Sequence, residues 1–184
     1  MPLYFAYGSN MDTDAMRARC PRSSVIGRAR LMRHRFALMG EGYATVGADP
    51  RSAVHGVLWD LALSDVRALD SYEGVGQGLY KKIIQPVFRD SGVSSRALVY
   101  VGRAGASPQI RSGYLEGVIA AARVWELPPA YIRELEGLQP GARRVNLTVP
   151  TVRAIRSPIA AERDEQGNVK VRPRFTSPLD RGQA

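Results

Sequence analysis

Two short segments combine residue types that could act on a carbonyl substrate. The first is Tyr7-Gly8-Ser9-Asn10, a run of turn-forming residues that directly follows a stretch of alternating apolar residues. A strand-to-helix turn of this kind exposes consecutive backbone N–H groups, which can hold a carboxylate or a developing oxyanion. Gly8 is expected either to let the backbone approach a ligand or to adopt a positive φ. An ordinary strand-to-helix turn would have the same sequence, so the spacing alone leaves both interpretations open.

The second segment is centred on Glu73, which lies between Tyr72 and a glycine-rich turn at the end of a predicted helix. Aromatic neighbours such as Tyr72 and Tyr80 would exclude water from its carboxyl group. Its pKa would then rise towards the range useful for proton transfer near neutral pH. A solvated glutamate at a helix end fits the same residue types, so this interpretation also stays open.

Other chemistry-bearing residues give weaker signals. His34 and His55 lack a second histidine or cysteine at metal-ligand spacing, which argues against a metal site. Cys20 precedes a proline that ends a helix, which favours a structural role over a nucleophilic one. The glycines of 74–78 close a helix instead of opening one, and no Lys-Ser/Thr follows, which is unlike a phosphate-binding loop.

The elements that must position the two segments are strands followed by helices. Asp12 or Thr13 is expected to cap the first helix and Ser64 the second, and the glycines of 40–47 separate two strands. Pro86 places part of its strand at an edge or a bulge. This order favours an α+β fold. Strands are predicted over 2–7, within 25–39, and over 54–61, 79–89 and 95–102, and helices over 13–20, 65–73, 114–125 and 131–138.

Length and composition limit the class of protein. The chain has 184 residues, of which 45% are hydrophobic and 23% charged, and this excludes a disordered or fibrous protein for most of its length. We expect one domain over 1–140 and a C-terminal extension over 141–184, with a strand at 146–155 and a flexible tail beyond. No apolar run reaches the roughly 18 residues of a membrane span, and the first residues, MPLYFAYGSN, lack the basic n-region typical of a signal peptide. The expectation is a cytoplasmic protein with no membrane partner.

The net charge of +9 raises the possibility of a nucleic-acid-binding protein. The basic residues are spread along the chain, however, without a Lys/Arg run longer than two and without a nucleic-acid-binding motif. The sequence therefore predicts no nucleic-acid partner, and a solvated basic surface that at most steers anionic substrates weakly.

Together, the two segments resemble the gamma-glutamylcyclotransferase family. The two motifs, in this order and about sixty residues apart, are far more specific than either one alone. The resemblance covers about residues 3–138. It is carried by YFAYGSNM at 4–11, Arg19-Cys20-Pro21, LDSYEGVGQGLYKK at 69–82 and the helical stretch 106–135.

The resemblance implies a small, strongly bent β-barrel with packed helices. It places Glu73 at the position of the catalytic acid/base, and the loop from Tyr7 to Asn10 along the substrate cavity. Tyr80 and Tyr114 fall where the family has cavity-lining tyrosines. Tyr100, on the strand before the helical region, is a further candidate.

The implied reaction is cyclisation within one γ-glutamyl amide. The α-amino group attacks its own γ-carbonyl, closing 5-oxoproline and releasing an amine or amino acid. This chemistry needs no external nucleophile, metal or cofactor, and its partner is a small γ-glutamyl molecule. The alternative is a non-catalytic small-molecule-binding or regulatory module on the same fold, which the presence of both the loop and Glu73 disfavours. The leaving group and the oligomeric state are left open.

Overall fold

Five strands closed into a barrel form the centre of the computed structural model, which describes residues 2–139. The predicted domain boundary after residue 140, the predicted strand at 146–155 and the extension 141–184 lie outside the described residues. The strands are β1 (Leu3–Ala6), β2 (Ser24–Leu38), β3 (Ala44–Asp60), β4 (Tyr80–Arg89) and β5 (Ser94–Gly102).

The strand order is β1-β3-β2-β4-β5, and β1 closes the barrel by pairing with β3 on one side and β5 on the other. The β1–β5 pairing is parallel, and every other pairing is antiparallel. Strand β3 pairs with β1 over its whole length, and β5 pairs with it at Leu3 and Tyr4. The end of β1, which leads into the next turn, is therefore held by β3. The predicted α+β fold with a small barrel is confirmed.

Four helices lie between and after the strands. Helix α3 buries Leu115, Val118 and Ala122 on one face, the spacing expected for an amphipathic helix. None of the helices within residues 2–139 is long and apolar enough to cross a membrane. The helices are α1 (Thr13–Arg19), α2 (Val66–Tyr72), α3 (Tyr114–Val124) and α4 (Pro129–Glu136), with 3₁₀ turns at Ser9–Met11, Leu63–Asp65 and Val75–Gln77.

Strands β2 and β3 form one long, bent hairpin, which the sequence patterns did not predict. The prediction that β3 begins at residue 54 was wrong, because it begins at Ala44 and runs through Pro50. Ladder pairing with β2 resumes only at Ala53 after Ala48, so the missing N–H of Pro50 costs no ladder bond. Register shifts of this kind increase the local twist, and they allow long strands to curve around a small barrel.

The predicted cap of α1 is confirmed and that of α2 is wrong. Asp12 accepts a hydrogen bond from the N–H of Ala15 at 2.8 Å and so begins α1. Ser64 does not cap α2, because the chain first forms a 3₁₀ turn that contains Ser64, and α2 begins only at Val66.

Buried Asp65 fixes the start of α2 to the chain that follows α1. Its Oδ2 accepts hydrogen bonds from the N–H of Arg22 at 2.9 Å and from the hydroxyl of Ser23 at 2.8 Å. A buried carboxylate needs such partners to offset its lost hydration. Helices α1 and α2 are thereby held beside each other.

Candidate active site

A cavity of about 280 Å³, its mouth included, lies beyond the end of β1. All of the predicted catalytic and substrate-binding residues line it, together with the further candidate Tyr100. The lining comes from β1, the turn after it, β3, the end of α2, β4, β5 and α3. Sequence-distant groups therefore meet at one place. The lining residues are Tyr4, Tyr7, Gly8, Ser9, Asn10, Ala44, Glu73, Tyr80, Tyr100 and Tyr114.

Gly8 allows the turn after β1 to pack tightly against the cavity wall. Its φ is −115°, so of the two expected roles the positive φ is wrong. A Cβ atom at Gly8 would lie 3.1 Å from the hydroxyl of Tyr114 and 3.2 Å from the Cβ of Ala44. The 3₁₀ turn starts at Ser9, and the first N–H groups of such a turn have no partner within it. These N–H groups are available to a ligand or to a neighbouring side chain.

We expect Gly8→Val to lower kcat/KM by about tenfold or more, since its β-branched side chain would push Tyr114 away from the turn. Steady-state kinetics with the γ-glutamyl substrate that the resemblance implies, alongside thermal melting, measures the effect. The matched control is Gly117→Val on the exposed face of α3, where an added Cβ meets nothing within 4 Å. Unchanged kinetics and melting in Gly8→Val would contradict this role of the turn.

Glu73 sits at the end of α2 with its side chain in the cavity. Its N–H donates to the carbonyl of Leu69 at 2.9 Å, and Gly74 ends the helix in the left-handed region with a φ of 62°. Burial raises the pKa of Glu73 from 4.5 to about 7, against the opposing effects of the Arg19 charge and the Asn10 hydrogen bond. Near neutral pH the carboxyl group therefore populates both its acid and its carboxylate forms, as proton transfer requires.

Asn10 connects Glu73 to two other side chains. Its Nδ2 donates to Oε1 of Glu73 at 2.8 Å and to the hydroxyl of Tyr4 at 2.9 Å. Its Oδ1 accepts a hydrogen bond from Nη1 of Arg19 at 2.5 Å. The Asn10 amide thus joins the turn after β1 to the end of α2.

Tyr72 has a different position from the one expected. The sequence placed it with Tyr80 as a group that excludes water from Glu73. Tyr80 does line the cavity, but Tyr72 is 47% exposed and lies outside the lining. Its ring lies under the guanidinium of Arg19, with Cζ 3.7 Å from the ring centroid, and its hydroxyl is 3.2 Å from that of Ser9.

Three of the five cavity tyrosines donate their hydroxyl protons to the protein. Tyr7 donates to the backbone carbonyl of Tyr100. Tyr80 donates to the carbonyl of Ala44 at 2.6 Å, and Tyr100 donates to Oδ1 of Asp70 at 2.6 Å. Since a hydroxyl has one proton, these three groups have none left to give to a ligand.

The hydroxyls of Tyr4 and Tyr114 act instead as acceptors. Tyr4 accepts from Asn10, and Tyr114 accepts from the N–H of Ala44 at 3.1 Å. Burial raises the pKa of Tyr114 to about 12 and that of Tyr4 well above its ordinary value, so both hydroxyls keep their protons at neutral pH. These two tyrosines have a hydroxyl proton available for donation within the cavity.

The sequence patterns missed four residues of this site: Tyr4, Arg19, Ala44 and Asp70. Asp70 precedes Glu73 by three positions, which puts both carboxyl groups on one side of α2, and that spacing was a usable signal. Arg19 belongs to a segment that carried the resemblance but received no role there. Ala44 contributes its backbone N–H and carbonyl, for which no side-chain signal exists.

The buried Glu73 is expected to make the protein less stable at pH 8 than at pH 5. A folded-state pKa of about 7 against 4.5 means that the folded state binds the proton more tightly. The stabilising contribution is therefore fully present below pH 4.5 and is lost as the pH rises through about 7. At pH 8 the free energy of unfolding is lower by roughly 3 kcal/mol than it would be if the pKa of Glu73 did not change on folding.

Urea denaturation of the wild type and Glu73→Gln across this pH range measures the effect. The variant should gain stability over the wild type as the pH rises. Glu126→Gln, which changes a side chain that is 87% exposed, is the control and should follow the wild type. An equal pH dependence in wild type and Glu73→Gln would contradict the burial of an ionisable Glu73.

Comparison with known proteins gives a consistent result. Residues 53–135 match the AIG2-like family. The chain is 30% identical over 150 residues to gamma-glutamylcyclotransferase from Mus musculus and 29% identical to that from Homo sapiens, in each case over 75% of this chain and 79% of the relative. A solved structure of a gamma-glutamyl cyclotransferase matches with a TM-score of 0.71 and 27% identity, over 78% of this chain and 90% of that one. This chain belongs to the gamma-glutamylcyclotransferase family.

Proposed function

We propose that this protein cyclises a γ-glutamyl amide to 5-oxoproline and releases an amine or amino acid. The observation that carries the proposal is a carboxyl group of pKa about 7, Glu73, inside a cavity lined by tyrosines and by the turn after β1. The naming of relatives as gamma-glutamylcyclotransferases supports it.

Glu73 exchanges protons with the substrate through its Oε2 atom. Oε1 already accepts a hydrogen bond from Asn10, whereas no hydrogen bond to Oε2 occurs among the described residues. As a carboxylate, Glu73 takes a proton from the substrate α-ammonium and frees the nitrogen for attack. The new C–N bond forms at the γ-carbon and the amide C–N bond breaks. In all, two protons leave the α-nitrogen and two reach the departing nitrogen, one at a time through Glu73.

The charge that develops on the γ-carbonyl oxygen needs hydrogen-bond donors in place before the reaction. The N–H of Asn10 in the turn and the hydroxyl protons of Tyr4 and Tyr114 are the donors available in the cavity, whereas the N–H of Ser9 donates to the hydroxyl of Tyr114. Some of these donors bind this oxygen, and the others bind the α-carboxylate of the substrate. Preorganised donors of this kind stabilise the transition state more than the ground state.

Cyclisation within one molecule also gains from proximity. When the cavity folds the γ-glutamyl chain so that its amine meets its own carbonyl, up to about 7–11 kcal/mol of the barrier is removed in advance. The small volume beyond β1 suits this task, because a tight wall of aromatic rings limits the conformations of the bound substrate.

The experiment is an assay of 5-oxoproline release from a panel of γ-glutamyl amino acids and γ-glutamyl amines. Turnover on at least one member is the expected result, and the preferred member identifies the leaving group. The alternative is a non-catalytic binding module, for which calorimetry would show binding of panel members without release of 5-oxoproline. The cytoplasmic location and the lack of a nucleic-acid partner stay predictions of the sequence.

A further inference from the structure

We propose that Arg19 is a positioning residue for this reaction: it holds the Asn10 amide in the one orientation that aims Glu73 into the cavity. The proposal rests on the proposed function for its catalytic meaning. Its geometric basis is the chain of hydrogen bonds that runs from Arg19 through Asn10 to Glu73.

The orientation of the Asn10 amide follows from the chemistry of its neighbours. A guanidinium has donors and no acceptor, so the Asn10 atom that faces Arg19 must be the oxygen Oδ1. Both hydrogens of Nδ2 then point the other way, towards Glu73 and the hydroxyl of Tyr4. If the amide turned over, Oδ1 would face a carboxylate oxygen and Nδ2 would face another donor, which is repulsive at both ends.

Arg19 is also held in place by Tyr72. Its guanidinium stacks over the ring of Tyr72 with Cζ 3.7 Å from the centroid, and Arg19 is half-buried. Among the described residues, no carboxylate oxygen lies within 4 Å of it. Its positive charge therefore acts on Glu73 through the intervening Asn10 amide and is not neutralised by a closer acid.

The other ionisable groups around Glu73 do not replace Arg19. Burial raises the pKa values of the five cavity tyrosines, so they stay neutral near pH 7. The charge of Asp70 is paired with Lys82 at 2.8 Å. Arg19 thus supplies the positive charge that favours the carboxylate. The titratable and charged groups that line the cavity with Glu73, or that contact those lining residues or Arg19, are Tyr4 of β1, Tyr7 of the turn after it, Arg19 of α1, Asp70 and Tyr72 of α2, Tyr80 and Lys82 of β4, Tyr100 of β5 and Tyr114 of α3.

The test compares three variants at position 19 with a control on the same helix. Arg19→Met keeps much of the aliphatic bulk without charge or donors, Arg19→Gln is neutral but can donate or accept, and Arg19→Lys keeps the charge. The control is Arg17→Met, which removes an exposed charge whose partner is Asp14 of the same helix. Two quantities are measured: the titration of Glu73 by ¹³C NMR, assigned by its absence in Glu73→Gln, and kcat/KM against pH.

Both neutral variants should move the Glu73 titration upward by about one pH unit and carry the acid limb of kcat/KM with it. At pH 6 this lowers kcat/KM by about tenfold. In Arg19→Lys the pH at which Glu73 titrates should lie close to that of the wild type, and in Arg17→Met it should match the wild type. A merely structural role would change the melting temperature without moving the titration. If Arg19→Met does not fold, Arg19→Gln decides the same point.

An unshifted titration in a folded neutral variant, or an equal shift in Arg17→Met, would overturn the role of Arg19. The titration needs no turnover, so it separates this proposal from the proposed function. A shifted titration without any 5-oxoproline from the wild type would support the position of Arg19 and contradict the reaction. Turnover by the wild type, together with an unshifted Glu73 titration in a folded neutral variant, would support the reaction and contradict the role of Arg19.

Discussion

Glu73→Gln is expected to lower kcat for 5-oxoproline formation by about 10²- to 10⁴-fold while the protein folds normally. Glutamine keeps the size of the side chain and can still accept the hydrogen bond from Asn10, but it cannot take up and return a proton. The cavity and its tyrosines are unchanged, so KM should change far less than kcat. Steady-state release of 5-oxoproline from the best panel substrate measures both constants.

A control variant and a pH profile accompany this experiment. Glu126→Gln removes an exposed carboxylate far along the chain and should leave kcat within twofold of the wild type. The wild-type kcat/KM should rise with pH through an apparent pKa near 7, the value to which burial raises Glu73. A well-folded Glu73→Gln protein with full activity would contradict the assignment of Glu73.

Gly56→Ala is expected to lower the free energy of unfolding by about 3 kcal/mol or more. Gly56 lies in β3 opposite the end of β1, and a Cβ there would be 2.2 Å from the carbonyl oxygen of Ala6 and 2.9 Å from Cζ of Phe5. The first of these atoms is backbone in a strand that pairs with β3 up to Ala6, so it cannot move without disturbing the barrel. Activity should fall as well, because the cavity turn begins directly after Ala6 at Tyr7.

Thermal melting checks this, with an expected fall of about 10 °C. The matched control is Gly47→Ala in the same strand, where the nearest atom to an added Cβ is Nε of Arg35 at 4.0 Å. That variant should melt within about 2 °C of the wild type. If Gly56→Ala also melted within about 2 °C of the wild type, the close approach of β1 and β3 at Gly56 would be contradicted.

Sequence patterns predicted an element correctly where the interactions that form it join residues close together in the chain. The strands predicted over 79–89 and 95–102 match β4 and β5 to within one residue at each end, and the i, i+4 apolar spacing marked α3. Residue type limited the cap of α1 to Asp12 or Thr13, because capping involves only the next few N–H groups, and the cap is Asp12. Patterns failed in the β2–β3 hairpin, where bulges and a skipped ladder segment accommodate Pro50 within a strand.

The two segments of the site were also visible in the sequence. Tyr7 to Asn10 and Glu73 were selected by residue type, and Tyr80 and Tyr114 by resemblance to the family. All of them line one cavity. What sequence reasoning could not provide was their connection, since the hydrogen bond between Asn10 and Glu73 joins residues 63 positions apart.

The turn after β1 and the glutamate at the end of α2 could be predicted because each depends on residue types over a few consecutive positions, and the fold class could be predicted from the order of strands and helices. Folding was needed to show that Tyr4 and Arg19 belong to the site, that Tyr72 lies outside the cavity lining and which tyrosine protons are free. These properties depend on which groups burial brings within hydrogen-bond distance. Such distances are set by the closure of the barrel and not by any short stretch of chain.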